Sequence, residues 1–281
     1  MPEPTPTSIG GFISPKVSGP PRAPGAGPPP EVLVAAAFTE ELAAALDLCS
    51  DVRRLALPGV QAWHGTCSGR AVACLRTGFG PERAARSLSR YLAAEQPDRI
   101  LVIGYGGALD PALRPGALVA VERAVLLARH HARDVPLEES PVEGAWPLDP
   151  APASGSGGGS AARVVVGTAV TSPWIIGAPP HKAILRRRFE AAVVDMETAA
   201  LARECARAGV PLACVRAISD AVDDTFLAPF TYDPGATMSG QVLRALTAGG
   251  WLARYRDWRR LAAGARASLT GYMERYFRLG V

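Results

Sequence analysis

The chain has 281 residues, 48% of them hydrophobic, enough to bury one large α/β core. Its formal charge of +4 comes from basic and acidic residues interspersed along the chain, so no dense cationic block invites nucleic acid. No charged start followed by an apolar run and no apolar stretch of bilayer length is visible, so neither a secretory leader nor stable membrane insertion is expected.

Residues 1–30 are crowded with Pro, Gly and Ser, including Pro20-Pro21 and Pro28-Pro29-Pro30, and read as a disordered leader to one domain at 31–281. Val32–Ala36 then reads as a buried strand, and Thr39–Cys49 as a helix with Thr39 available to cap it. Ala71–Arg76 is a second strand, followed by a helix at Pro81–Ala94 with Pro81 in its first turn. Strands are expected at Ile100–Ile103 and Ala117–Val121, a flexible Gly/Ser loop at 151–162, and a strand at Arg163–Val166. Ala192–Val194 is a short strand running into a helix at Met196–Ala208, and Leu212–Ile218 is a further strand. Such unbroken apolar runs suit a sheet covered on both faces, so the expected fold is α/β: a single domain with a central, mostly parallel twisted sheet flanked by helices. A last helix from Trp251 onward places Leu252, Tyr255, Trp258, Leu261 and Leu269 on one side and arginines on the other; packing on the domain and a membrane-surface role both fit that pattern, the first better.

Two glycine motifs fall short of a dinucleotide fingerprint. Gly78-Phe79-Gly80-Pro81-Glu82-Arg83 lacks the third glycine, and Gly104-Tyr105-Gly106-Gly107-Ala108-Leu109 runs into Asp110-Pro111 instead of a helix. Adjacent His130 and His131 would point to opposite sides of a strand and read as partly solvated loop residues. The five cysteines (Cys49, Cys67, Cys74, Cys205, Cys214) form no CxxC pair and no metal-like spacing with histidines, as in reduced structural thiols. No cofactor motif and no metal cluster is visible. The glycines at 104–107 suit either a ligand approaching the backbone or a plain strand-to-loop turn.

The acids are more telling. Val193-Val194-Asp195-Met196-Glu197 brings two carboxylates to a helix entrance, where capping alone explains one of them. Leu212–Ile218 ends in Ser219-Asp220, at the carboxyl end of a strand, where ligands gather in α/β sheets.

Taken in order, GYGGALDPALRPG, VVDMETAALA and VRAISD resemble the purine nucleoside phosphorylase superfamily over about Val32 to Asp220. The branch most similar is that of the 5'-methylthioadenosine/S-adenosylhomocysteine nucleosidases and their relatives acting on futalosine and adenosylhopane. The resemblance implies that Glu197 binds the ribose hydroxyls, Asp220 protonates the purine and Glu41 activates water. Met196 would pack on the ribose, Ser219 would position Asp220, and Gly106 and Gly107 would lie along base and sugar. The reduced thiols already suit a cytoplasmic protein, and the resemblance adds a small-molecule nucleoside substrate and a homo-oligomer, with acid–base chemistry that requires no cofactor.

The chemistry asks for the same residue types. Splitting a ribosyl C–N bond builds positive charge on the sugar and negative charge on the base, so one carboxylate must stay ionised, here Glu197, and one acid must deliver a proton, here Asp220. Three departures bear on the substrate. Tyr105 stands where the nucleosidases carry a small hydroxyl residue, so a bulky ring is expected near the pocket. The loop at Thr168 to Pro180 is long, with Trp174 or Ile175 able either to cover a base or to pack in the core. Val102 replaces the phosphate-binding arginine of the bacterial phosphorylases, which favours water over phosphate, although Arg83 at a helix start keeps phosphorolysis open. Gly80-Pro81-Glu82-Arg83, the LDPALRPG run and the Arg-rich C-terminus are also similar to enzymes that remove adenine from adenosylhopane. A non-catalytic nucleoside-binding module is the alternative of another class, against which the three carboxyls argue.

Overall fold

The apolar runs become the middle of one ten-stranded sheet. In the computed structural model, residues 17–129, 135–151, 164–225 and 251–279 are described, with side chains from residue 262 onward in the last stretch. His130, His131 and the Gly/Ser loop lie outside the described residues, as do residues 1–16 of the leader. Residues 17–30 of that leader are placed: Ser18 and Arg22 donate backbone N–H groups to Val52 and Arg54, so this part is held along the edge of the sheet and is not free.

The strands are β1 (Val32–Ala36), β2 (Ser50–Arg54), β3 (Gln61–Cys67), β4 (Arg70–Arg76), β5 (Arg99–Ala108), β6 (Leu118–Leu127), β7 (Val142–Pro147), β8 (Val164–Thr171), β9 (Val193–Asp195) and β10 (Leu212–Asp220). The sheet is mixed. Parallel ladders join β4–β1, β1–β5, β5–β10, β6–β8 and β8–β9, and antiparallel ones join β2–β3, β3–β4, β5–β9, β6–β7 and β6–β10. Because β10 pairs with both β5 and β6, the strands β5, β9, β8, β6 and β10 close into a ring. The antiparallel members are what the expectation of a mostly parallel sheet lacks. β2 has one buried residue in five and β7 has none, so neither shows the continuous apolar run that marks a doubly covered strand.

Five helices are described: α1 (Thr39–Leu46), α2 (Pro81–Leu92), α3 (Pro179–Phe189), α4 (Thr198–Ala208) and α5 (Trp251–Leu279). Leu42 and Leu46 of α1 and Leu269, Tyr272, Met273 and Phe277 of α5 pack on Val34, Ile103 and Val215 at one face. Leu88 and Tyr91 of α2 and Leu201 and Cys205 of α4 pack on Leu33, Val102 and Cys214 at the other. The described part of α5 is thus a core helix, and no described helix is long and apolar enough to cross a membrane. α1 begins at Thr39 with Phe38, not Thr39, in the capping position, and the Phe38 N–H is taken by the side chain of Glu41. The unforeseen α3 opens with Pro179-Pro180, whose fixed φ suits a first turn, and ends at Glu190 in the left-handed region.

Candidate active site

The site grows from the register of two strands. In the parallel ladder of β5 and β10, Arg216 stands beside Gly104. A Cβ on Gly104 would lie 2.4 Å from Arg216 Nη1 and 2.9 Å from Glu41 Oε1, so the missing side chain leaves space over the strand that a guanidinium and a carboxylate approach from two sides. Glu41, in the first turn of α1 and 3% exposed, accepts N–H bonds from Phe38 at 3.0 Å and from Tyr105 at 2.8 Å. Glu197, just before α4, accepts from the Gly80 N–H at 2.9 Å, and Arg216 Nη2 lies 3.8 Å from its other oxygen.

Of the two acids at that helix entrance, Asp195 is the structural one. Its Oδ1 accepts from the N–H groups of Glu197 and Thr198 and from the Thr171 hydroxyl, while Oδ2 takes the Thr198 hydroxyl and pairs with Arg216 Nε at 2.9 Å. Satisfied on every side, Asp195 fixes the arginine and the start of α4. Glu197 makes no such cap and keeps an oxygen toward Arg216.

Electrostatics separates the groups further. Burial pushes the Glu197 carboxyl up to about 8, against the pull of Arg216 and with a smaller push from Asp195. Burial also lifts Glu41, with Arg216 opposing. For Arg216 burial works against the charge, but the carboxylates around it, Asp195 first, raise it above its ordinary value, so it remains the fixed cation of the site. The expectation of a Glu197 that simply stays ionised is therefore changed: its proton affinity rises because the carboxyl is desolvated and Arg216 is already paired with Asp195.

Asp220 lies at the other end of the glycine run. Three residues of strand separate Gly104 from Gly107, about 10 Å, and a Cβ on Gly107 would lie 3.0 Å from Asp220 Oδ2. Ser219 donates to Asp220 Oδ1 at 2.7 Å and lies 3.3 Å from the Gly106 carbonyl. Gly106 has a close neighbour of its own, Val193 of β9, whose Cγ2 would sit 2.5 Å from an added Cβ. Lys182 of α3, wholly buried, reaches Asp220 Oδ2 with its Nζ at 2.5 Å.

Glu41, Glu197, Ser219 and Asp220 all stand at the carboxyl ends of β1, β5, β9 and β10 or in the turns beyond them, and Met196 is buried between the two acids of its turn. Tyr105 departs from expectation: its backbone N–H reaches Glu41, whereas its ring packs toward α1 and α5 against the cluster of Ile103, Ala217 and Tyr272. Trp174, 0% exposed, packs with Leu109, Val170 and Leu185, the core alternative of the two open for it. Val102 is buried in the core, and Arg83 is exposed, its stem folded over Gly78. The residues not foreseen are Arg216 and Lys182. A lone arginine inside the apolar run VRAI was the available signal for the first, since a buried charge demands a partner and Asp195 stood nearby with no catalytic task. A cavity of about 260 Å³ beside Arg99, Asp149 and Tyr276 opens at the amino-terminal end of β5, away from these acids. Among the described residues no group of His, Cys, Asp and Glu could hold a metal ion.

The family profile described as the phosphorylase superfamily matches residues 31–247. A 5'-methylthioadenosine/S-adenosylhomocysteine nucleosidase of Marinomonas sp. (strain MWYL1) is 30% identical over 196 residues, which cover 66% of this chain and 83% of the relative. Among solved structures, the 5'-methylthioadenosine/S-adenosylhomocysteine nucleosidase of Neisseria meningitidis, in complex with methylthio-immucillin-A, is similar with a TM-score of 0.63 at 19% identity, covering 89% of this chain and 99% of that one. The futalosine hydrolase of Helicobacter pylori is similar with a TM-score of 0.58 at 18% identity, covering 80% and 97%.

Proposed function

This chain belongs to the phosphorylase superfamily, and from that membership we propose that it is a nucleosidase, hydrolysing the N-glycosidic bond of a purine nucleoside and releasing the base. The substrate class is a 5'-substituted adenosine such as methylthioadenosine or S-adenosylhomocysteine, by analogy with the Marinomonas relative. The observation that carries the reading is the pairing of Glu41 and Glu197 around one buried arginine, with Asp220 about 10 Å further along the same glycine run. That spacing sets acids with opposite tasks at the two ends of an interval about as long as a nucleoside.

In this reading Glu41 takes the proton of the attacking water, which its raised proton affinity favours. Glu197 binds the ribose hydroxyls, and the positive charge that grows on the sugar as the C–N bond breaks draws its carboxyl toward the ionised form, with Met196 against the sugar. Asp220, held by Ser219, delivers the proton to the departing base. Arg216 keeps the carboxylates in place without neutralising either, because its strongest partner is Asp195. Base and sugar lie along Gly106 and Gly107, whose missing side chains make room for Val193 and Asp220. A cytoplasmic homo-oligomer, with a second copy closing the 5' end of the pocket, completes the proposal.

A panel of purine nucleosides incubated with and without inorganic phosphate, following free base and the sugar product, tests it. Free ribose derivatives in the absence of phosphate are expected. A requirement for phosphate would move the reaction to phosphorolysis and point to Arg83, exposed at the start of α2. Activity on adenosylhopane alone would narrow the substrate to hopanoid synthesis, and tight binding without turnover would make the chain a binding module.

A further inference from the structure

Lys182 has no part in the reaction just described, yet it is wholly buried against Asp220. Its Nζ lies 2.5 Å from Asp220 Oδ2, 2.5 Å from the Ala221 carbonyl and 3.2 Å from the Asp224 carbonyl, so all three ammonium protons have acceptors. Burying a lysine is costly unless the charge is paired, and one carboxylate with two carbonyls supplies that pairing. Asp220 is equally engaged: Oδ2 by Lys182 and Oδ1 by Ser219, whose hydroxyl can turn instead to the Gly106 carbonyl. A carboxylate held in this way has no proton of its own to give. The ammonium against it does.

Resting on the nucleosidase reading, we propose that Lys182 is the positioning residue that orients Asp220 and supplies the proton Asp220 passes to the leaving base. As the ribosyl C–N bond breaks, its electron pair stays on the base. A new N–H bond forms there with a proton that leaves the Lys182 ammonium and passes through the Asp220 carboxyl, so Asp220 ends as the carboxylate it began as and Lys182 becomes a neutral amine still donating to the carbonyls of Ala221 and Asp224. The water's own proton, taken by Glu41, is lost to solvent, and solvent restores Lys182, so protons balance over a turnover. Ser219 reorients toward Gly106 whenever Asp220 must donate. Lys182 thereby also ties α3 to the turn after β10, so the proton donor keeps its place only while both elements are docked.

The test uses one purine nucleoside and its N7-methylated counterpart, whose base is already cationic and departs without a proton. The rate ratio of the two substrates within one protein sample is independent of how much of that sample is folded. In Lys182→Met and Lys182→Gln, whichever is soluble, the ratio of methylated to parent turnover should rise about 100-fold over the wild type, with KM for the parent little changed. A ratio within threefold of the wild-type value in either variant overturns the role of Lys182 while leaving the nucleosidase reading intact. Release of base from neither nucleoside by the wild-type protein overturns that reading and this one with it.

Discussion

Replacing Glu197 by glutamine should make the protein more stable in alkali while abolishing base release. The Glu197 carboxyl is buried, and its proton affinity is raised from 4.5 to about 8. At about 1.4 kcal/mol for each tenfold change in proton affinity, this rise is worth on the order of 5 kcal/mol as an upper bound. The unfolded chain releases the proton near 4.5 and the folded chain near 8, so the stabilising contribution is complete below the lower value and is lost as the pH climbs to the higher one. The amide still accepts the Gly80 N–H and carries no charge, so it has no such slope. Urea and thermal unfolding of both proteins at pH 5, 7 and 9 should show near-equal midpoints at pH 5 and a variant ahead by up to about 10 °C at pH 9. Parallel loss across the range, with a constant gap, would refute the claim that desolvation of this carboxyl burdens the fold.

Gly104→Ala forces a methyl against Arg216 Nη1 and Glu41 Oε1, both buried and held by their own partners, at a backbone φ of 159° that side chains rarely adopt, so the variant should melt several degrees lower while the β5–β10 ladder still forms. Base release should nevertheless fall about 100-fold, because a displacement near 1 Å in the reacting constellation is costly; steady-state kinetics beside a thermal melt reads both. Trp174→Ala empties a fully buried site and should cost about 3–5 kcal/mol in urea unfolding. A change confined to KM, with an unmoved midpoint, would instead put that ring on the substrate.

Strands covered on both faces were legible from sequence, since β1, β5 and β10 must be apolar throughout and therefore announce themselves as runs. Edge strands need only one covered face, or none, and β2 (Ser-Asp-Val-Arg-Arg) carries a pattern no different from a solvated loop. α3 was hidden because its Pro179-Pro180 start and Arg186-Arg187-Arg188 end read as loop and surface charge, while one of its two buried residues, Lys182 beside Leu185, is a lysine. Glu197 and Asp220 were visible as acids at strand ends, and Glu41 only through the family resemblance. Their counter-ions were not, because Arg216 meets Asp195 and Glu197 only through the β5–β10 register, and Lys182 meets Asp220 across 38 residues of chain. Contacts of that kind depend on the closed fold, not on any local spacing.

The ring of β5, β9, β8, β6 and β10 has a mechanical consequence. At Val215–Ala217, β10 is laddered on both sides, to β5 and to β6, so Arg216 stands on a strand with no free edge. Peeling it away would break two ladders at once, which should make its amides among the slowest to exchange with solvent. The floor beneath the acids is then a closed hoop, and opening of the site is expected at α3 and the turn at 221–225 that Lys182 pins together.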